Sequence, residues 1–154
     1  MNPIDTKIKQ QLLDQLRGQL ESRKQTILDA IDRVEDGLKS ETKSSAGDKH
    51  ETGRAMLQLE REKLGNQLNL VQIDEKTLAR IELNEQTSVV KVGSLVKTSQ
   101  LNYFISVGAG KLLINDDTIY AISLNSPIGR LLISRQKGDE INFRDQKIKI
   151  LNVI

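Results

Sequence analysis

The first half of the sequence carries a long apolar repeat with helical spacing, and this repeat restricts the fold more than any other feature. Apolar side chains recur mostly three or four residues apart in two runs that flank a polar stretch. This spacing is close to the apolar stripe of a coiled coil. The first run is Leu13, Leu16, Leu20, Ile27, Ile31, Val34 and Leu38, and the second is Met56, Leu59, Leu64, Leu68, Val71, Leu78 and Ile81. Each stripe is narrow, so each helix needs a partner to bury it.

The two runs have similar lengths, and a short polar connection makes neighbouring helices antiparallel. We therefore predict that residues 1–84 form an antiparallel coiled-coil hairpin with a polar tip at residues 40–53. The first run lacks an apolar step near Arg23 and Lys24. A coiled coil between two chains is the alternative that the pattern leaves open.

The second half of the sequence changes to short segments rich in β-branched residues, which is typical of strands. Turn residues separate these segments at 115–117, 137–139 and 144–146. One segment differs, because Ser126 followed by Pro127 is the pattern of a helix cap and first helical residue. We expect that helix to end near Gly138. Residues 85–154 are thus predicted to form a small antiparallel β domain with one short helix, which makes the fold class α+β.

Composition excludes several classes of function. The chain has no cysteine, so disulfides, thiol catalysis and cysteine metal sites are ruled out. The net charge is only +2, with −1 in residues 1–84 and +3 in residues 85–154, and this argues against strong nonspecific binding to nucleic acid. The N-terminal residues are too polar for a signal peptide, and no apolar run reaches membrane-spanning length. We expect a cytoplasmic protein that does not bind membranes.

The polar stretch between the helices contains two acids spaced by three residues, Asp48 and Glu51. Asp at a helix N-cap with Glu three residues later is close to a capping box, and both acids suit the positive end of the helix dipole. On the residues alone, a cap is the simplest interpretation. His50 has no second His or Cys for a transition-metal site, and Glu41 is interpreted as a solvated residue at the end of the first helix.

Two segments resemble the Gre-type bacterial transcript cleavage factors. The tip sequence GDKHET, residues 47–52, is similar to the family pattern of Gly-Asp, two variable residues and Glu-Asn, with Thr52 in place of Asn. The segment ISLNSPIGRLLISRQKGDEINF, residues 122–143, is similar to the family's C-terminal Ser-Pro helix and the Gly-Asp that follows it. The resemblance covers nearly the whole chain, with the similar segments in the same order and at similar spacing.

The resemblance implies an FKBP-like C-terminal domain and a monomeric factor that binds RNA polymerase. In this family the hairpin enters the secondary channel and brings its acidic tip to the active centre, where the nascent RNA has backtracked. Asp48 and Glu51 would then be the catalytic, metal-directed carboxylates for a Mg²⁺ ion held jointly with the polymerase. Arg130, Arg135 and Lys137 would be candidates for docking on the polymerase. The chain would not be an enzyme alone, because it stimulates cleavage by the polymerase.

Two other functions remain open at this stage. A tip that departs from the family pattern could bind the channel without promoting cleavage, and so regulate the polymerase. A structural coiled-coil adaptor or homodimer is the alternative of another class. Prolyl isomerase activity is suggested only by the fold type, and fold alone does not license it. The chain has only four aromatic residues, namely Tyr103, Phe104, Tyr120 and Phe143.

Overall fold

Two long helices occupy the first half of the chain. The computed structural model describes residues 3–43, 48–85 and 87–154, and only the backbone of residues 3–4, 42–43 and 48–50. Helix α1 is Pro3–Lys43 and helix α2 is Asp48–Ala79. Their 41 and 32 residues correspond to lengths of about 61 and 48 Å. Both helices extend into the range predicted for the tip, 40–53, so the connection between them is residues 44–47.

The chain divides into two compact units. One unit is Gly18–Glu75, and the other combines Met1–Arg17 with Lys76–Ile154. The ends of the two helices therefore belong to the same unit as the β-sheet. The predicted division of the chain after residue 84 stays a prediction.

Within the unit Gly18–Glu75 the two helices run antiparallel. Glu35 on α1 forms an ion pair with Arg61 on α2, with Oε1 and Nε 3.1 Å apart. Farther along α1, a methyl group added at Gly37 would lie 3.2 Å from Leu57 Cδ1. Later residues of α1 thus meet earlier residues of α2. The predicted hairpin is confirmed in this chain.

Burial confirms the predicted stripe on α1 and corrects part of the stripe on α2. The buried seam residues of this unit are Leu20, Ile27, Ile31, Val34, Leu64 and Val71. Met56 and Leu59, which the spacing assigned to the same stripe, are instead 66% and 67% exposed. Leu57 takes the inward position beside Gly37. α2 carries apolar residues on two faces, and the predicted stripe combined residues of both, with a step of five residues between Leu59 and Leu64.

The missing apolar step in α1 is filled by a polar layer. Lys24 Nζ lies 3.2 and 3.3 Å from the two carboxylate oxygens of Glu75 on α2. Asp74 lies beside it, and burial raises the pKa of Asp74 while nearby Arg23 opposes that shift. A partly exposed ion pair of this kind contributes little stability, about 0–1 kcal/mol. Its effect is to define which residues of the two helices face each other.

The second half of the chain forms a six-stranded sheet. The strands are β1 Leu95–Thr98, β2 Asn102–Ile105, β3 Gly110–Ile114, β4 Asp117–Ile122, β5 Glu140–Phe143 and β6 Gln146–Val153. Their order in the sheet is β3-β4-β2-β1-β6-β5. Two tight hairpins join β3 to β4 and β5 to β6. Their turn residues, Asn115-Asp116 and Arg144-Asp145, all have positive φ, as two-residue hairpins of this twist require.

One strand pair differs from the predicted antiparallel pattern. β2 and β4 are parallel, with Tyr103 opposite Tyr120, while the other pairs in the described sheet are antiparallel. The chain leaves β2, forms β3 first, and then returns so that β4 lies beside β2. The α+β fold class is confirmed: a long helical hairpin is followed by a small, largely antiparallel sheet and one short helix.

The short helix α3, Pro127–Leu132, covers one face of the sheet. It ends earlier than predicted because Ser134 adopts φ +66 and the backbone then pairs with Val90: Ser134 N donates to Val90 O, and Val90 N donates to Arg135 O. The core between α3 and the sheet is Val90, Val96, Tyr103, Ile105, Ile128, Leu132, Ile141, Ile148 and Ile150. This core fixes the position of α3, and of the cations that follow it.

A lysine is buried in the unit that contains the sheet. Lys9 on α1 is only 2% exposed, although the lysine side chain is rarely buried. Burial lowers the pKa of Lys9, Lys91 acts in the same direction, and Asp5 and Glu85 oppose it. Glu85 also pairs with Lys91. Because burial disfavours the charged form of Lys9, its presence in the core lowers the stability of this unit by an amount that depends on pH.

Candidate functional site at the hairpin tip

The two predicted site acids lie at the start of α2. Asp48 is its first residue and Glu51 lies in its first turn, with the Glu51 side chain exposed. Residues three apart on a helix lie on neighbouring parts of one face. The side chain of Asp48 lies outside the described residues, as do Gly47 and the rest of the connection. The capping-box interpretation, which depends on them, therefore stays a prediction.

A third carboxylate lies at the same end of the hairpin. Glu41 is in the last turn of α1, and a methyl group added at Gly53 would be 3.4 Å from Glu41 Oε1. The absence of a side chain at Gly53 therefore gives the Glu41 carboxylate room against α2. The sequence interpretation treated Glu41 as a solvated helix end. Its place opposite Gly53 becomes visible only once the two helices are aligned antiparallel.

The tip carries acids and bases together: Glu41, Asp48 and Glu51 alternate along the chain with Lys43, Lys49 and Arg54, so its formal net charge is close to zero. The exposed N–H groups and dipole of a helix N-terminus favour nearby carboxylates, so the first turn of α2 is a suitable position for Asp48 and Glu51. Carboxylate oxygens are the ligands that Mg²⁺ prefers, and this ion commonly takes one or two carboxylates from any one protein. The donor chemistry of Asp48 and Glu51 fits such a shared ion. Among the residues with described side chains, no group of three or more His, Asp or Glu could hold a metal.

The predicted docking cations lie on and after α3. Arg130 is in its last turn, whereas Arg135 and Lys137 follow the helix, and all three side chains are exposed. Arg135 Nε donates to the carbonyl oxygen of Leu131 at 3.2 Å, which directs its guanidinium group back toward the helix. The three cations lie within eight residues of one another in the chain. Their docking role stays a prediction.

The start of α3 is fixed as the sequence predicts. Ser126 is the N-cap: its Oγ accepts a hydrogen bond from Gly129 N at 3.1 Å and donates one to Ser123 O at 2.6 Å. Pro127 is the first helical residue. A methyl group added at Gly129 would lie 2.2 Å from Ser123 O, so the cap packs tightly against the helix. Ser126 and Pro127 are structural residues, as expected.

The sequence interpretation missed a group of lysines on the sheet. Lys97 on β1 and Lys147 and Lys149 on β6 are exposed, and Lys149 lies opposite Glu140 on β5. The sequence signal for this group is the alternation of Lys and Ile at residues 147–150. Every second side chain of a strand points to the same face, so Lys147 and Lys149 share one face. These lysines account for much of the positive charge of the C-terminal half.

The comparisons with known proteins add little to this geometry. The sequence matches no protein-family model and no curated protein. A solved structure described as "Structure of the transcription factor Gfh1" is similar over 92% of each chain, with 18% identity and a TM-score of 0.34. A likeness at that level carries no argument about function. In the described parts of the chain, no helix has the length and hydropathy needed to cross a membrane.

Proposed function

We propose that this chain is a Gre-like transcription factor that binds RNA polymerase through the secondary channel and stimulates Mg²⁺-dependent cleavage of backtracked nascent RNA. One observation carries the proposal: an exposed acid, Glu51, occupies the first turn of the second helix of a long antiparallel hairpin, with Glu41 of α1 beside Gly53 in the next turn. The sequence resemblance at residues 47–52 and 122–143 supports it. The chain acts on a reaction that the polymerase performs.

The residues of the hairpin would have distinct tasks in this reaction. α1 and α2 stiffen each other through their buried stripe, so that the carboxylates are delivered on a rigid arm rather than a loop. Glu51 and Asp48 would hold a shared Mg²⁺, with Glu41 adding negative charge nearby. When bound, that ion polarises the phosphodiester and lowers the pKa of an attacking water. Arg130, Arg135 and Lys137 would contribute to docking through the C-terminal domain.

A cleavage assay on a stalled, backtracked elongation complex of a bacterial RNA polymerase tests the proposal. The wild-type chain should shorten the RNA in a Mg²⁺-dependent way. Glu51→Gln keeps the size of the side chain and removes its charge, so we expect a loss of at least about 10- to 100-fold in cleavage rate, the range found when a residue that only orients a metal ligand is replaced. Glu62→Gln, an exposed acid in the middle of α2, is the matched control and should cleave normally.

Binding to the polymerase must be measured beside cleavage. Glu51→Gln should bind as well as the wild type, since the docking cations are unchanged. Replacement of Arg130, Arg135 and Lys137 by Glu should weaken binding, while Lys111→Glu on the exposed face of β3 should not. Binding without RNA shortening by the wild type would refute the cleavage function and leave a noncleaving regulator. Failure to bind any bacterial polymerase would refute the proposal as a whole.

A further inference from the structure

A second apolar stripe runs along α2, on a face that α1 does not cover. Met56, Leu59, Leu70 and Ile73 are 66%, 67%, 55% and 49% exposed. They are the most exposed large apolar side chains on the described part of either helix. Monomeric proteins rarely expose several large apolar residues along one continuous surface unless it serves an interaction. We call these four residues, together with Lys63 and Asn66 between them, the outer stripe.

The outer stripe has the spacing of a coiled-coil seam. Taking Met56 as heptad position a, the d, a, d, a and d positions that follow are Leu59, Lys63, Asn66, Leu70 and Ile73. All six side chains are exposed. They extend over about 25 Å of helix. The stripe is therefore a complete seam with apolar ends and a polar centre.

The pattern is also symmetric about its own midpoint, between residues 64 and 65. An interface between two identical chains related by a two-fold axis requires such self-complementarity. If residue i of one chain contacts residue j of the other, then residue j of the first chain contacts residue i of the second. In an antiparallel pair of α2 helices, Met56 would face Ile73 of the second copy and Leu59 would face Leu70 of the second copy. A surface used for a different protein has no reason to be symmetric.

Charge selects the antiparallel arrangement over the parallel one. A parallel pair in register would bring the two Lys63 ammonium groups together at the centre of the seam. The antiparallel pair places Lys63 opposite Asn66 of the second copy, whose amide oxygen can accept a hydrogen bond. On the flanks, Glu60 would face Gln67 and Glu62 would face Asn69, so no like charges meet there, and the two Lys63 residues lie in neighbouring layers of the seam instead of the same layer. A polar pair at one layer is the usual device that fixes register in a coiled coil.

We propose that the outer stripe of α2 binds a second copy of this chain as an antiparallel, two-fold symmetric pair. The four apolar side chains are few for a stable dimer, since specific interfaces usually bury about 1,200–2,000 Å² in total. The pairing is therefore weak, in the micromolar range, and the chain is a monomer when dilute. An acidic membrane surface is a poor alternative partner, because Glu60 and Glu62 flank the stripe.

Sedimentation equilibrium over a range of concentrations tests the pairing. The apparent mass should rise from 17.3 kDa toward twice that value. Leu59→Glu with Leu70→Glu should raise the dissociation constant by more than about tenfold. Gln58→Glu with Gln72→Glu is the matched control: it adds the same charge to the same helix at exposed positions outside the stripe, and it should dimerise like the wild type. Circular dichroism should show unchanged helix content in both.

Cysteine cross-linking then tests the orientation, on a background without native cysteine. Disulfides require Cα atoms within about 7 Å. The double variant Met56→Cys with Ile73→Cys should form intermolecular disulfides, because residue 56 would face residue 73 of the second copy. Met56→Cys alone should not, since the two copies of residue 56 would be about 25 Å apart. A wild-type mass that stays at one chain at every concentration overturns the proposal. Equal cross-linking by the single variant overturns the antiparallel geometry.

Discussion

Replacing Gly93 with Ala should destabilise the unit that contains the sheet, although Ala is usually the more stabilising residue. Gly93 has φ +94, and its backbone N donates to Ile105 O at 2.7 Å, which holds it in that conformation. A methyl group there would lie 3.1 Å from Ile81 Cγ2. The substitution therefore introduces backbone strain and a crowded contact together.

The expected magnitude follows from three terms. A left-handed backbone costs an L-residue about 1–2 kcal/mol. Moving Ile81 away from its preferred rotamer costs about 0.5–1.5 kcal/mol. Fewer conformations in the unfolded chain return about 0.4–1 kcal/mol. We expect Gly93→Ala to lower the free energy of unfolding by about 2 kcal/mol.

Two other glycines separate these terms. Gly110 has φ +74 but no atom within 4 Å of an added methyl, so Gly110→Ala carries the backbone strain without the contact. It should cost about 1 kcal/mol. Gly18 lies inside α1 with open space around it and no positive φ. Gly18→Ala should therefore stabilise the helix by about 0.5–1 kcal/mol.

Urea unfolding measures all three variants. Both tyrosines lie in strands and the chain has no tryptophan, so tyrosine fluorescence reports on the sheet, while far-UV circular dichroism reports mainly on the helices. The order of stability should be Gly18→Ala above wild type, then Gly110→Ala, then Gly93→Ala. If Gly93→Ala proves as stable as Gly110→Ala, the contact with Ile81 has no energetic weight. If it matches the wild type, the argument from φ is wrong as well.

Three further predictions concern single contacts. Ser126→Ala removes the cap of α3 and should cost about 1–2 kcal/mol, with Ser126→Thr restoring most of it, as measured by urea midpoints. Lys9→Met should raise stability at pH 7, because burial lowers the pKa of Lys9 and the unfolded chain holds that proton more tightly. This gain in stability should shrink as the pH approaches 10.5, the ordinary pKa of a lysine. A gain that grows with pH would contradict the prediction. Glu35→Gln breaks an ion pair whose side chains are 41% and 48% exposed, so it should change stability by less than about 1 kcal/mol in the same assay.

Local patterns predicted most of the elements, since each was decided by neighbouring residues. The helices followed from apolar spacing, the strands from alternation, and the start of α3 from Ser126 and Pro127. The parallel pairing of β2 with β4 could not be predicted in the same way, because it depends on how the β3–β4 hairpin is placed beside a strand that precedes it. The early end of α3 likewise depends on backbone pairing with Val90, a residue about 45 positions away. For the tip, the sequence identified the acids but not Glu41 beside Gly53.

The error on α2 is the most informative one, because it concerns which of two stripes faces the partner helix. Met56 and Leu59 have the right spacing for a seam, but Leu64, the next residue of the predicted stripe, is five positions after Leu59. Leu57 lies seven positions before Leu64, in one heptad series with Val71 and Leu78, and this spacing was the overlooked sign that Leu57 is turned inward. Two overlapping heptad patterns on one helix can each be buried, one within the chain and one between chains. A single repeat cannot say which is which, and the exposure of the outer stripe separates them. The same two patterns reconcile the hairpin with the intermolecular coiled coil that the sequence left open, since α2 has one face for each.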